Sequence, residues 1–352
     1  MSIPTTAREY AYTEIGSFKN LTVREVPVPT PKANEVLVKT RAVSLQFRDL
    51  LVSNGTYPGQ FPPHLVPCSD MAGDIVAVGA DVQGWKAGDR ICPNFMIDKI
   101  HNEFMSNEVA NSALGGAIHG VLTEYRCFPA HCLVAIPSHL SYEEASTLPC
   151  AALTAYNALL SSGSEPLKAG DTVLIQGTGG VSVFALQFAV ASGATAIVLS
   201  SSDEKLESAT QLGAKHVINY KTTPNWDQQV LKLTNGNGVD RVIEVVGDAT
   251  LERSMSSVRI DGSIVIVGLL GGIGADVPAV DIIRPSIFKG LKISGIFVGS
   301  VPQFRNMNKL LAANPETTRP LIDKVFEFEH AKEAFAHLES QKHVGKVVIR
   351  VN

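Results

Sequence analysis

The 352 residues exceed what one ordinary core holds, and about 150 residues per domain predicts two domains. Hydrophobic residues at 45% against charged residues at 18% supply enough apolar material for large cores, which excludes a disordered chain. A net charge of -4 without a Lys/Arg stripe excludes a nucleic-acid surface, and no apolar run approaches the ~20 residues of a membrane helix.

In chain order, Met1 to Tyr10 has neither a basic start nor an apolar run, so a secretory signal is not expected. The five cysteines (Cys68, Cys92, Cys127, Cys132 and Cys150) form an odd, sparse set, and a reducing cytoplasm is the expected setting. Glu35 to Val43 (EVLVKTRAV) alternates apolar with polar residues, as a half-buried strand does. Met71 to Val78 and Val121 to Cys127 repeat the pattern, with Gly79, Gly84, Gly88-Asp89 and Pro129 as breakers. Pro93 to His119 is irregular and reads either as a long loop over a site or as a plain surface excursion.

From about Thr154 apolar strands alternate with helical stretches. Thr172 to Gln176 (TVLIQ) leads into a helix from about Gly180 to Ser192, and Thr195 to Leu199 leads into another from Asp203 to Leu212. His216 to Asn219, Arg241 to Val246, Ser263 to Val267 and Leu291 to Phe297 complete six strands. Near-continuous apolar strands separated by helices predict an α/β fold with a doubly wound parallel sheet of the Rossmann type. The last stretch, Phe326 to Val351, reads as a helix followed by the strand Lys346 to Val351. It is expected to return to the first domain, because six strands complete the sheet without it.

TVLIQ runs straight into Gly177-Thr178-Gly179-Gly180-Val181-Ser182, close to the dinucleotide pattern G-x-G-x-x-G/A. The first glycine permits the turn and the second lets the backbone approach a diphosphate. The third position needs a small residue, which Ser182 supplies. The phosphates are then expected on the positive end of the helix that opens near Gly180. An NAD-type loop ends its next strand with an acid that holds the ribose 2′-hydroxyl. Here that strand ends Leu199-Ser200-Ser201-Ser202, with Lys205 following. Hydroxyls and an ammonium suit a 2′-phosphate, so NADP(H) is expected over NAD(H). Lys205 also fits a plain solvated helix face, and Asp203 and Glu204 suit the start of a helix. As zinc ligands, Cys127, His131 and Cys132 lack a second pair nearby, and Cys68 and Cys150 read as small buried hydrophobes.

Val36-Leu37-Val38-Lys39, Asp70-Met71-Ala72-Gly73, Gly88-Asp89-Arg90, Leu148-Pro149-Cys150, Leu153-Thr154-Ala155-Tyr156, the Gly177 loop, Leu212-Gly213-Ala214, Ile218-Asn219-Tyr220 and Gly345-Lys346-Val347-Val348 extend almost end to end. The set resembles the medium-chain dehydrogenase/reductase superfamily, in particular its zinc-free branch of quinone oxidoreductases and enoyl reductases. The resemblance implies a mostly-β GroES-like catalytic and substrate domain over 1–151, completed by 298–352, and a Rossmann domain over 152–297. It implies that Thr154 lies near a nicotinamide and that Lys205 and Tyr220 reach a 2′-phosphate. Val246, Gly247, Gly268, Leu269 and Phe297 line the nicotinamide ribose and ring by the same resemblance, and Lys346 approaches from the other lobe. For Val246 and Phe297 ordinary core is the alternative.

Zinc-binding members of the superfamily carry a cysteine where this chain has Gln46, a His-Glu pair at Ser69-Asp70 and a third ligand at Cys150. One thiol cannot hold a catalytic zinc, and Cys92 stands alone where those members have a four-cysteine lobe, so no metal is expected. The implied activity is NADPH-dependent hydride transfer to an activated C=C bond (an enone, enal or enoyl ester) or to a quinone. Tyr57, in Gly55-Thr56-Tyr57-Pro58, matches the position of a donor tyrosine, or else braces a Pro-rich loop. Gln46 and Arg48 stand where relatives place polar groups toward substrate, with Arg48 suited to steady an oxyanion. His119 is a weaker candidate and Asp49 reads as structural. The alternatives are an alcohol or carbonyl dehydrogenase of the same superfamily and a silent NADPH-binding protein. A small-molecule substrate is expected, and a homodimer paired through Leu291 to Phe297.

Overall fold

The computed structural model describes residues 3–102, 105–161, 165–271 and 280–352. The chain folds into two compact units. One comprises Met1–Leu153, Val298–Pro315 and Arg319–Asn352, and the other comprises Thr154–Phe297 with Glu316–Thr318.

The first unit opens with an antiparallel hairpin, β1 (Thr6–Tyr12) and β2 (Leu21–Pro27). It continues with β3 (Glu35–Ser44), β4 (Asp70–Val78), β5 (Arg90–Pro93), β6 (Tyr125–Pro129) and β7 (Leu133–Ala135). The second unit supplies β8 (Thr172–Gln176), β9 (Thr195–Ser200), β10 (His216–Asn219), β11 (Val239–Glu244), β12 (Val258–Ile266) and β13 (Lys292–Gly295). The chain then returns with β14 (Ile322–Glu327) and β15 (Lys346–Arg350).

The first unit's large sheet has the order β14-β15-β3-β4-β5-β7, with β6 on β3. Its apolar face packs Val36, Val38, Met71, Ile75, Phe128, Phe328 and Phe335 into one core. Val348 pairs with Ser44 across β15 and β3, so the last strand lies beside the first long one. In the second unit the order is β10-β9-β8-β11-β12-β13 and every pair is parallel. Its strands are buried along their centres, as expected of a sheet covered on both faces. The doubly wound sheet read from the alternation of strands and helices is thus present. No helix among the described residues is long and apolar enough to cross a membrane.

Several boundaries differ from expectation for local reasons. The strand read at Val121 to Cys127 is Tyr125–Pro129 instead. The Gly120 and Val121 N–H groups are spent on the Val66 and Pro67 carbonyls, which bends the chain there. The strand read to Val246 stops at Glu244, because the Glu244 carboxylate takes the Val246 and Gly247 N–H groups. The helices end at Ala191 and Gln211, with Ser192 and Leu212 as caps. The sixth parallel strand is the shorter Lys292–Gly295.

Candidate active site

Each unit gathers one group of the candidate residues. In the second unit every parallel strand ends at the same edge, where the following loops converge. Gly177 follows β8 at once, Ser200 ends β9 and Tyr220 follows β10. Val246 and Gly247 lie just past β11, Gly268 and Leu269 past β12, and Phe297 past β13. Thr154 is buried in the helix Leu153–Tyr156 of the same unit.

The Gly177 loop has the tight turn and the helix start that its sequence suggests. Gly177 sits at φ +75°, a left-handed turn that a side chain would strain. Gly179 caps the helix Gly180–Ala191 without a side-chain bond, and a Cβ added there would meet no atom within 4 Å. Thr178, Gly180 and Val181 complete a helix start with amide donors, a positive dipole end and space for an anion. Ser182 is buried and donates to the Gln176 carbonyl at 2.7 Å, so its departure from glycine is absorbed by the strand end.

At the neighbouring corner the Tyr220 N–H donates to the Ser200 carbonyl at 3.0 Å, which sets Tyr220 beside the serine run. Ser200 is buried, and its hydroxyl accepts from the Ser202 N–H at 3.4 Å. Ser202 in turn caps the helix Asp203–Gln211 by accepting from the Lys205 N–H at 3.4 Å. Ser201 lies between the two serines, so it shares this corner with Lys205 and Tyr220. The nearest acid, Asp203, accepts from Asn219 Nδ2 at 2.7 Å and is drawn toward the end of β10.

Sequence reading missed Glu244. It is fully buried, with Oε1 accepting from the Val246 N–H (2.9 Å), the Gly247 N–H (3.0 Å) and the Thr250 hydroxyl (2.8 Å). The signal was available: an acid inside the apolar strand RVIEVV has to be bonded if that strand is covered on both faces.

In the first unit strand register builds the second group. Ser44 pairs with Asp70 on one side and with Val348 on the other, so residues from three distant segments meet at one strand end. Asp70 is buried. Its Oδ2 accepts from Gln46 Nε2 at 2.6 Å and from the Cys150 N–H at 2.9 Å, and its Oδ1 accepts from the Ser69 hydroxyl at 2.6 Å. The buried Lys346 ammonium donates to the Leu45 carbonyl. Burial pushes the Asp70 carboxyl up to about 6, against the pull of Lys346, and it lowers Lys346 from its ordinary value. Asp49 accepts from the Gln46 N–H at 2.7 Å, and burial pushes its carboxyl up to about 7. Burial, reinforced by Asp70, raises the Cys150 thiol far above its usual range.

Arg48 and Tyr57 are brought together. The guanidinium lies 4.7 Å from the Tyr57 ring and 4.8 Å from that of Phe95, and Nη1 donates to the Leu114 carbonyl at 2.9 Å. The irregular stretch after Pro93 is anchored at its start, with Asn94, Phe95 and Met96 fully buried. Gly116 lies so close that a Cβ there would come within 2.2 Å of Arg48 Nη2. His119 accepts from the Val66 N–H through Nδ1 at 3.2 Å, and burial lowers its pKa. Cys127, His131 and Cys132 do not converge: His131 faces Asp98 at 3.2 Å and the Cys132 thiol donates to the Pro129 carbonyl.

Two family models match the chain, the alcohol dehydrogenase GroES-like domain over residues 32–138 and the zinc-binding dehydrogenase domain over 180–313. A zinc-type alcohol dehydrogenase-like protein of Schizosaccharomyces pombe is 45% identical over 346 residues, covering 98% of this chain and 99% of its own. The chain belongs to the medium-chain dehydrogenase/reductase superfamily. This dehydrogenase/reductase is an oxidoreductase of a family that binds nicotinamide cofactors. Among solved structures, an NAD-dependent alcohol dehydrogenase superposes with a TM-score of 0.85 at 30% identity, covering 98% of this chain and 100% of that one. A 2-octenoyl-CoA carboxylase reductase, solved with NADP and 2-octenoyl-CoA, gives 0.86 at 26%, covering 99% and 88%.

The dinucleotide fits the residues present, with an open helix start beside Gly179 and a hydroxyl-rich strand end. Zinc does not fit the equivalent ligand positions. They hold an amide (Gln46), a hydroxyl (Ser69), a carboxylate whose two oxygens are bonded within the protein (Asp70) and a single thiol (Cys150), which is one strong zinc ligand where a catalytic site needs three. Among the described residues no group of three or more His, Cys, Asp or Glu is placed to hold a metal ion.

Proposed function

We propose that this dehydrogenase/reductase uses NADPH, without a metal, to reduce activated carbon–carbon double bonds in enones, enals or enoyl esters, or quinones. The observation that carries the reading is the side-chain set at the superfamily's metal position, where Gln46 and the Cys150 N–H both bond to Asp70. Alcohol oxidation of the metal-dependent kind draws on a Lewis acid to stabilise an alkoxide, and that set supplies no ligand trio for one. Conjugate reduction needs only a hydride and a proton.

When bound, NADPH supplies the hydride, which goes to the β carbon as charge builds on the carbonyl oxygen. The chain's residues do the rest. Amides of the Gly177–Val181 loop bind the diphosphate; Ser200, Ser201, Lys205 and Tyr220 hold the 2′-phosphate. Thr154, Val246, Gly247, Gly268, Leu269 and Phe297 form the nicotinamide wall. The Tyr57 phenol O–H is the donor of the proton that balances the hydride. Arg48 packs on the Tyr57 ring and ties it to Leu114. Gln46 and Lys346 fix the strand end at Asp70 and Leu45.

A homodimer belongs to the same reading. β13 is the last strand of the described sheet order, and Ile283, Ile287 and Phe288, in the helix just before it, are 68%, 69% and 80% exposed. A second copy of the chain would cover them.

The names of the relatives favour a second reading, a metal-dependent alcohol dehydrogenase. One experiment separates the two. Purified protein is analysed for zinc and assayed with NADPH against enones, enoyl thioesters and quinones, and with NADP⁺ or NAD⁺ against alcohols, before and after chelation. The proposal expects substoichiometric zinc and enone or quinone turnover that chelation leaves unchanged. Stoichiometric zinc with chelator-sensitive alcohol oxidation overturns it.

A further inference from the structure

Buried in the second unit, Glu244 accepts five hydrogen bonds and belongs to no role assigned above. Its Oε1 gathers the Val246 and Gly247 N–H groups and the Thr250 hydroxyl, so the chain leaving β11 curls around one oxygen. Gly247 completes that curl at φ +95°, a conformation natural only to glycine. Oε2 accepts from Gln176 Nε2 at 2.7 Å and from the Ser254 hydroxyl at 2.6 Å. Gln176 is the residue immediately before the phosphate loop. Its side-chain oxygen accepts from the Val245 N–H at 3.2 Å, and its carbonyl accepts from Ser182 at 2.7 Å. The loop after β12 is keyed to the same turn, with the Leu270 and Gly271 N–H groups donating to the Val245 and Val246 carbonyls at 3.0 and 2.9 Å.

We infer that Glu244 is a positioning residue: with Gln176 it locks the phosphate loop to the wall that seats the nicotinamide, and so sets where the ring stands relative to the diphosphate. The inference rests on the reading of an NADP(H) site at this sheet edge. The physical reason is the polarity of the pair. All five groups donate to Glu244, and three of them, the Val246 and Gly247 N–H groups and the Gln176 amide nitrogen, can do nothing else, so an acceptor is required at both oxygens. In Glu244→Gln an amide N–H2 faces the Gln176 amide N–H2. Flipping Gln176 only moves the clash to the Val245 N–H, so one donor is stranded either way and the turn has to shift. The exchange Gln176→Glu with Glu244→Gln restores each donor–acceptor match at unchanged net charge. Hydride transfer is sensitive to sub-ångström placement, whereas the adenosine end, held at β9 and β10, is not reached by the network.

The test compares wild type, E244Q and Q176E/E244Q in three measurements: binding of 2′,5′-ADP, binding of NADPH, and single-turnover hydride transfer to an enone. The expected result for E244Q is retained 2′,5′-ADP binding with a loss of about tenfold or more in NADPH affinity or hydride-transfer rate. The double exchange is expected to recover most of that loss. Should E244Q fail to fold, the double exchange carries the test, with a wild-type ratio of NADPH to 2′,5′-ADP affinity expected. NADPH affinity and hydride transfer within about twofold of wild type in E244Q overturn the inference. So do a parallel loss of both ligands that the exchange does not recover, and a double variant that is unfolded or binds only 2′,5′-ADP. Wild type that binds neither ligand refutes the dinucleotide reading itself, a result distinct from all of these.

Discussion

The two units handle buried carboxylates in opposite ways. Glu244 sits at the end of a parallel strand inside a ring of five donors, three of them reached within six residues of chain. Asp49, in the helix Phe47–Ser53, and Asp70, at the start of β4, are buried in the other unit with fewer donors, and burial drives their carboxyls up to about 7 and about 6. Asp49 shows the contrast most plainly, because one of its oxygens is buried without a hydrogen-bond partner. The second unit thus uses a carboxylate side chain to fix backbone, while the other gathers buried acids whose pKa values burial raises. A loop can be organised by its own amides. A cluster built from distant segments has to balance desolvation against a few long-range bonds.

The sharpest way to break this comparison is at Tyr57, where function is proposed to rest on one side chain. Tyr57→Phe should lower the rate of enone reduction by about 100-fold or more while leaving NADPH binding unchanged, as steady-state and binding measurements would show. A variant with full activity would remove the proton donor from the reading. In the other unit function is proposed to rest on backbone, and Gly179 tests it cleanly. Its φ lies in the ordinary range and a Cβ meets nothing, so Gly179→Val should still fold, melting a few degrees below wild type because valine is a poorer N-cap. Yet it should lose on the order of 100-fold in NADPH affinity, because the side chain fills the space the diphosphate needs.

A smaller effect is expected at the corner proposed for the 2′-phosphate. Lys205→Ala should reduce the proposed NADPH-over-NADH preference by about tenfold, through the affinity for NADPH alone. Equal loss for both cofactors would place Lys205 in fold stability instead. The smallest effect sharpens the contrast in charge. Asp49 and Asp70 hold protons more tightly folded than unfolded, so their stabilising contribution is complete below their ordinary value of 3.8. It is lost as pH climbs through about 6 for Asp70 and about 7 for Asp49. Asp49→Asn removes one such group. It should start about 1 kcal/mol less stable than wild type near pH 5 and close the gap by about pH 8, in urea unfolding at each pH. A gap that widens with pH would contradict the assignment.

Much of the second unit was legible because its signals are local. TVLIQ followed by Gly177 to Ser182 states a strand, a tight turn and a helix start within a dozen residues. The strand end at Ser200 to Ser202 needs no distant partner to be seen as uncharged. Glu244 escaped because its meaning lies in Gln176 and Ser254, on elements 68 and 10 residues away. In the first unit the residue types were legible but their hydrogen-bond partners were not. Gln46 was read as facing a substrate, and the fold ties it to Asp70. Arg48 was read as an oxyanion partner, and the fold gives one of its donors to Leu114 and stacks it between two rings.

By itself, then, the sequence determined the parallel sheet, the tight turn and helix start at Gly177 to Ser182, and the uncharged strand end. Each depends on hydrophobic period, backbone conformation and residues adjacent in the chain. Only tertiary structure decided that Gln46 meets Asp70 across 24 residues and that Lys346 reaches Leu45 across 301. Strand register alone brings those segments together, and register is set by the burial of whole sheet faces rather than by any short run of residues.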